Sequence, residues 1–218
     1  MGKLINGIFG GFRGKAGPVV GYYLNGEAHI RAMPVKKHFS AAEKVNHAKF
    51  KLVQDHLLPI RDLLKIGFKN AYTKTGGYRG AVSCNRKEAL VTDESGFYFD
   101  AALLKFSYGD LPGAADAGVV LLPPDMEGQQ ARLQFTWQSP VDECCDDFDQ
   151  LMVLVYDIEN STAIEVGLEG PFRKDGVYQL QVPDTFIGKT VHVYIGFVSK
   201  ERDRQSISEY LGRLTVPG

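Results

Sequence analysis

The chain has 218 residues, of which 44% are hydrophobic and 23% are charged, and its formal net charge is −1. These values are close to the average for globular proteins and exclude disordered, collagen-like and coiled-coil chains. The longest apolar runs, such as residues 151–156, are far shorter than the roughly 20 residues of a membrane-spanning helix, so we expect no membrane span.

The small net charge hides a strong division of charge along the chain. Residues 1–90 contain 16 Lys and Arg against five Asp and Glu, a charge of +11, whereas residues 91–218 contain nine against 21, a charge of −12. The two segments neutralise each other within one subunit, attract each other between copies, or leave the basic segment to bind nucleic acid. Because composition changes at residues 92–96, we predict a basic segment of residues 1–94 and an acidic domain of residues 95–218.

The chain begins with a glycine-rich arm, with glycine at positions 7, 10, 11, 14, 17 and 21. Glycine loses more backbone entropy on ordering than any other residue, so we expect the arm to be anchored or to stay mobile until a partner orders it. The arm lacks the apolar stretch of a secretory signal, which predicts synthesis in the cytoplasm without a cleaved signal. The final location, in the cytoplasm or outside the cell, stays open.

A β-hairpin is predicted next. Residues 18–24 and 27–33 flank Asn25-Gly26, the pair that best fits a type I′ turn. Pro34 ends the second strand, since proline cannot donate a hydrogen bond to a sheet. An isolated hairpin is marginally stable in water, so we expect it to pair with or pack on another element.

Helices are predicted after the hairpin. Ser40 and Glu43 have the spacing of a capping box, and apolar residues follow at intervals of three and four. Pro59 divides this helix from a second, shorter helix that ends at Gly67. A third helical stretch is predicted around residues 78–90.

From residue 97 onward the apolar pattern has a period of two, which predicts strands. The expected strands are residues 97–100, 103–108, 119–122, 130–137, 151–158, 163–167, 177–182, 190–199 and 206–216. Both faces of the strand at 190–199 are mostly apolar, which predicts that it is covered on both sides. We therefore predict an α+β protein, in which a glycine-rich arm, a β-hairpin and helices precede an immunoglobulin-like antiparallel β-sandwich.

No motif in the sequence predicts catalysis or a cofactor. Residues 11–15 (GFRGK) resemble part of a phosphate-binding loop, but Phe9 and Ala16 stand where that loop requires glycine and Ser or Thr. Cys84, Cys144 and Cys145 lack the spacing of a zinc site or a disulfide framework, which predicts reduced thiols. We expect a protein that is not an enzyme and has no catalytic, cofactor or metal-binding residues.

An acidic loop at residues 142–149 contains five carboxylates. Oxygen ligands of this kind suit calcium, but their spacing matches no EF-hand. Three interpretations stay open: a solvated loop, a calcium-binding loop, and the acidic half of a protein contact.

The opening residues 6–21 (NGIFGGFRGKAGPVVG) resemble an uncharacterised bacterial family whose members begin with a similar NGxxGGFxGKxGxVVG string. Residues 30–34 (IRAMP), Gly67-Phe68 and residues 206–212 (SISEYLG) also look like that family, and the likeness covers nearly the whole chain. The resemblance implies a small protein without a known activity, so it carries over no catalytic residue.

These patterns favour a non-enzymatic structural or interaction protein that associates with copies of itself, head to tail, into a filament or another homopolymer. A glycine-rich arm beside a hairpin is suited to adding a strand to a neighbour's sheet edge. The predicted donor residues are Arg13, Lys15, Val19, Val20 and Tyr22, and the predicted acceptor residues are Asp142, Asp146, Asp147 and Asp149. The alternative is a nucleic-acid-associated protein that binds through its basic half.

Overall fold

The computed structural model describes residues 2–3, 11–35, 38–71, 76–94, 96–122, 130–139 and 145–217. The described chain is an α+β protein with antiparallel sheets, which confirms the predicted class. Contacts divide it into two compact units, Met1–Lys44 and Val45–Gly218. The second unit thus contains most of the basic helical segment together with the acidic strands, and the composition boundary at residue 94 lies inside it.

The first unit contains a four-stranded sheet in the order β1-β4-β3-β2. Its strands are β1 (Gly2–Lys3), β2 (Gly14–Ala16), β3 (Val19–Leu24) and β4 (Glu27–Ala32). Asn25 and Gly26 have φ angles of 53° and 81°, which are the positive values that a type I′ turn requires. The predicted hairpin is therefore confirmed.

The described part of the arm belongs to this sheet. Lys15 in β2 lies opposite Val20 in β3, so residues 14–16 extend the hairpin by one strand. A Cβ atom on Gly21 would collide with the carbonyl oxygen and the ring of Phe12. Glycine at this position lets the arm approach the hairpin closely, which explains how this part of the arm is anchored.

Three helices follow: α1 (Ala41–Leu57), α2 (Arg61–Gly67) and α3 (Gly77–Glu88). The capping box forms as predicted, because the Glu43 amide donates to Ser40 Oγ (3.2 Å) and the Ser40 amide donates to Glu43 Oε2 (2.9 Å). Pro59 lies between α1 and α2, as the sequence predicts. A short hairpin of β5 (Leu90–Asp93) and β6 (Gly96–Phe99) comes next, and β5 is a strand that the sequence did not predict.

The strand predicted at residues 103–108 is wrong. A 3₁₀ turn occupies Ala101–Leu103, and the chain beyond it is held by side chains. Asn85 of α3 accepts a hydrogen bond from the Lys105 amide (2.8 Å) and donates one to the Lys105 carbonyl oxygen (2.8 Å). The Phe106 amide donates to Ser208 Oγ (3.0 Å), and the Tyr108 amide donates to the carbonyl oxygen of Gly67 (3.0 Å). Side chains and isolated backbone contacts therefore take the place of a neighbouring strand.

The remaining strands form two sheets of the second unit. They are β7 (Ala115–Leu122), β8 (Arg132–Gln138), β9 (Gln150–Asp157), β10 (Thr162–Val166), β11 (Val177–Gln181), β12 (Thr190–Val198) and β13 (Glu209–Thr215). The strand orders are β10-β9-β12-β13 and β11-β8-β7.

The four-stranded sheet is covered on both faces. One face of β9, including Val153, shares a core with the three-stranded sheet, where Phe135 is fully buried. The opposite face of β9, including Leu154, packs in a second core with the helices, where Leu57 and Leu64 are fully buried. Strand β12 contributes to both cores, which confirms that it is covered on both sides.

Candidate interaction surfaces

The predicted donor residues lie in the sheet of the first unit. Arg13 and Lys15 are exposed, whereas Val19, Val20 and Tyr22 are half-buried on β3. The Tyr22 ring stacks on another ring of the same sheet, that of His29, at 5.6 Å between centroids. Strand β3 is paired on both sides, but β2 is the last strand in the described order. We refer to residues 13–16 as the basic edge, because these residues are exposed and β2 has no second partner strand in the described order.

The acidic loop is divided by the structure. Asp142 lies outside the described residues, and Asp146 and Asp147 are exposed. The Phe148 amide donates a hydrogen bond to Asp146 Oδ1 (2.8 Å). Lys174 Nζ lies 4.1 Å from the centroid of the Phe148 ring and Lys200 Nζ lies 5.0 Å from it. Two lysines therefore lie against the Phe148 ring of this loop, and their charges weaken its negative potential.

Asp149 lies in the interior. It is 1% exposed, and its Oδ2 accepts a hydrogen bond from Nε of the equally buried Arg173 (3.1 Å). The same guanidinium donates to the carbonyl oxygens of Gly113 (2.7 Å) and Pro112 (2.8 Å) and lies over the Phe197 ring. Asp149 thus neutralises a buried cation, and the exposed carboxylates of the described loop are those of Asp146 and Asp147.

A groove of about 470 Å³ opens between α2 and the residues that follow β10. Asp62 and Ile66 line it from α2. Glu165 of β10, Glu169 after β10 and Tyr178 of β11 line the rest. We refer to this feature, which is lined by Asp62, Leu63, Ile66, residues 165–169 and Tyr178, as the acidic groove.

The carboxylates of the acidic groove differ in their surroundings. Asp62 Oδ1 lies 2.7 Å from Lys65 Nζ, and this hydrogen bond and charge lower the pKa of Asp62. Glu165 is exposed at the rim of the groove, but partial desolvation raises its pKa and the Asp62 carboxylate raises it further, while the Leu63 amide opposes the rise. The surroundings of Glu165 therefore stabilise its charged carboxylate less well than water does.

This groove could not be predicted from the sequence. Asp62 and Glu165 are about one hundred positions apart, and they meet only because α2 packs beside β10. The sequence gives no local signal for such a pairing. The sequence shows the charges of Glu165 and Glu169, but it does not show that these residues share a concave surface with Asp62.

The described residues contain no group of three or more His, Cys, Asp or Glu side chains that could hold a metal ion. Burial raises the pKa of the Cys84 thiol to about 11, and Glu88 adds to this rise, so the thiol stays protonated and weakly nucleophilic at neutral pH. Within the described ranges, no helix has the length and apolar character needed to cross a membrane.

Comparison with known proteins places the chain in a family without providing an activity. A family of unknown function, DUF6266, matches residues 11–212. The comparisons with curated proteins and with solved structures found no match. Since the match spans nearly the whole chain, the resemblance to an uncharacterised family is confirmed, and the protein belongs to the DUF6266 family.

Proposed function

We propose that the protein is a non-enzymatic structural or interaction protein that associates with copies of itself, head to tail. The basic edge of one copy binds an acidic surface of the second unit of the next copy. The observation that carries this proposal is the exposed strand β2, which contains Lys15, directly follows the exposed Arg13, and has only β3 as a partner strand in the described sheet.

The distribution of ion pairs supports this proposal. Each Lys or Arg ion pair between described side chains joins two residues of the same charge segment: Lys65–Asp62 in the basic segment, and Arg173–Asp149, Lys189–Asp157 and Arg204–Asp110 in the acidic one. These four ion pairs therefore do not join the basic segment to the acidic one. Complementary surface charges of this kind steer association and select its orientation.

We infer further that the two sheets of the second unit have the connectivity of an immunoglobulin-like sandwich. The order β11-β8-β7 fits the E-B-A strands of that fold, and β10-β9-β12-β13 fits C′-C-F-G. A sandwich of this kind is open at its sides, so β7, β10, β11 and β13 each have one free edge in the described strand order. Free edges are the sites at which a strand from another chain adds to a sheet.

A contact between two different surfaces has a consequence for assembly. When the donor surface and the acceptor surface differ, each added copy offers a fresh acceptor, so association continues unless the rotation between neighbours closes a ring. The proposal therefore predicts a filament or another homopolymer rather than a twofold dimer.

Deletion of residues 1–17 tests the proposal. The deletion removes the basic edge and leaves the whole second unit, so we expect a folded protein that no longer forms high-mass species in light scattering. Near-ultraviolet circular dichroism of the buried Trp137 reports whether the second unit is intact. The double variant R13Q/K15Q separates the effect of charge from the effect of shortening the chain, because it keeps the length of the arm and removes only the two charges. A truncated protein that assembles like the full chain would contradict the proposal.

A second candidate function is nucleic-acid binding through the basic helices. Lys51, Lys69 and Lys87 are exposed on or next to α1, α2 and α3, and phosphate binding requires accessible cations of this kind. Titration with a labelled oligonucleotide over a salt series separates the two functions. Micromolar binding with a steep salt dependence favours nucleic acid, whereas no binding together with high-mass species favours assembly.

A further inference from the structure

We infer that the acidic groove is the acceptor site, and that its occupant is the extended segment Arg13–Lys15 of a second copy. This inference rests on the proposed function and adds the acceptor residues to it. The acceptor is then the groove beside α2 rather than the exposed carboxylates of the acidic loop.

The position of the groove favours an extended occupant. Strand β10 ends the four-stranded sheet and β11 ends the three-stranded sheet, and both contribute residues to the groove. The groove therefore lies where the described strand order leaves two sheet edges without a neighbour. An extended segment placed there can bind backbone groups of an edge strand and direct alternate side chains into the groove.

The charge of the groove favours a basic occupant. It contains the carboxylates of Asp62, Glu165 and Glu169, and among described residues the ion pair within this set is that of Asp62 with Lys65. Two glutamates thus lack a cation from the described part of the chain. A partner's cation would stabilise the ionised form of Glu165, which its surroundings disfavour.

The apolar part of the groove suits the stems of long cationic side chains. Leu63 and Ile66 of α2, together with Val166, Leu168 and Tyr178, form its walls. Arg and Lys side chains bury aliphatic carbons along such walls while their charged ends reach carboxylates. The volume of about 470 Å³ lies within the range of roughly 300–1,000 Å³ that is usual for binding pockets.

The spacing of the basic edge matches this site. In an extended chain, residues two apart point to the same side and lie roughly 7 Å from each other. Arg13 and Lys15 are two residues apart in the sequence. Gly14 between them has a φ of 112° in the described chain, and glycine has the backbone freedom to become extended on binding and no side chain to obstruct a close approach. The acidic loop fits less well, because Lys174 and Lys200 lie close to its Phe148 ring and would repel the same cations.

A peptide of residues 11–17 (GFRGKAG) is the direct probe, because its binding to the full chain can be measured by fluorescence anisotropy whether or not the protein assembles. The control peptide GFQGQAG has the same backbone without the cations. We expect the first peptide to bind at low salt and the control peptide to bind at least about tenfold more weakly, since the ion pairs of both cations are lost.

Three double variants of the full chain locate the site. E165Q/E169Q removes the glutamates of the acidic groove, D146N/D147N removes the exposed charges of the acidic loop, and E201Q/E209Q is a matched control with two exposed glutamates elsewhere. We expect E165Q/E169Q to weaken binding of the peptide about tenfold and the other two to leave it within about twofold. Equal weakening by E201Q/E209Q, loss only in D146N/D147N, or no binding of the wild type below about 1 mM would overturn the inference.

Charge reversal then tests whether the occupant comes from a second copy. R13E/K15E keeps an intact groove and E165K/E169K keeps an intact basic edge, so neither should assemble alone and their mixture should form a complex. No complex in the mixture would overturn the assignment of the occupant. If assembly requires Arg13 and Lys15 but E165Q/E169Q does not weaken peptide binding, the proposed function stands and this inference is wrong. If the peptide binds at the groove but the full chain does not assemble, the proposed function is contradicted. That result would still support a basic, extended segment as the ligand of the groove.

Discussion

The buried pair Asp149–Arg173 shows, at the scale of single residues, why charge in a sequence does not equal charge on a surface. Asp149 stands among exposed acids in the sequence, yet its carboxylate lies 3.1 Å from the Arg173 Nε and both side chains are shielded from water. Removing one partner of a buried pair leaves an uncompensated charge in the interior, which is far more costly than the pair itself is stabilising.

We therefore predict that Asp149→Ala lowers the free energy of unfolding by about 3–5 kcal/mol, as measured by urea denaturation. Asp110→Ala is the matched control. Its carboxylate also pairs with an arginine, Arg204, but its side chain is 78% exposed, so we expect little change. Equal effects of the two substitutions would show that the buried pair has no special structural role.

Glu165 gives a prediction for pH dependence. Its pKa is raised in the folded state above the value of 4.5 that is usual for this side chain, so the folded protein binds more protons than the unfolded one as pH rises from that value. Stability associated with this group therefore falls with increasing pH. Glu165→Gln should be more stable than the wild type at pH 7, and the gain should vanish below pH 4.5. Thermal unfolding over this pH range measures it, and a gain that persists in acid would contradict the account.

At the scale of elements, the segment that follows β6 depends on Asn85 of α3. The side chain is fully buried and satisfies both the amide and the carbonyl oxygen of Lys105. Asn85→Ala leaves both backbone groups without partners, so we expect a loss of about 2–4 kcal/mol in the free energy of unfolding. Ser83→Ala, on the exposed face of the same helix, should change stability by less than about 0.5 kcal/mol. A similar effect of the two substitutions would contradict the assigned role of Asn85.

The elements that depend on local chemistry could be predicted from the sequence. The Asn25-Gly26 turn, the Ser40–Glu43 capping box and the break at Pro59 each involve residues that are close along the chain. The error at residues 103–108 has the opposite cause. Alternating apolar residues there are typical of a strand, but the partners of the backbone are Asn85 and Ser208, which lie far away in the sequence.

The same distinction applies to the candidate site. Arg13 and Lys15 could be proposed from the sequence alone, because glycine density and charge are local properties. The acidic groove was missed because Asp62, Glu165 and Tyr178 come from three separate elements. A single sequence reports the charge of a segment, whereas the surface on which that charge is displayed depends on packing that a local pattern does not encode.

At the scale of the whole molecule, assembly through exposed charge has a distinct salt dependence. Ions screen contacts between exposed charges strongly once the Debye length falls to a few ångströms, which happens at roughly 1 M salt. Association driven by the basic edge and an acidic surface should therefore weaken steeply as salt rises. Association through an apolar surface would persist or strengthen.

The molar mass of the full chain in solution tests the account most directly. Light scattering over a concentration series from about 1 µM to about 100 µM, a range that brackets micromolar affinity, should show an average mass that rises above the 24.1 kDa of one chain. The same series in about 1 M salt should stay near the mass of one chain. A constant 24.1 kDa at every concentration in low salt would contradict head-to-tail association.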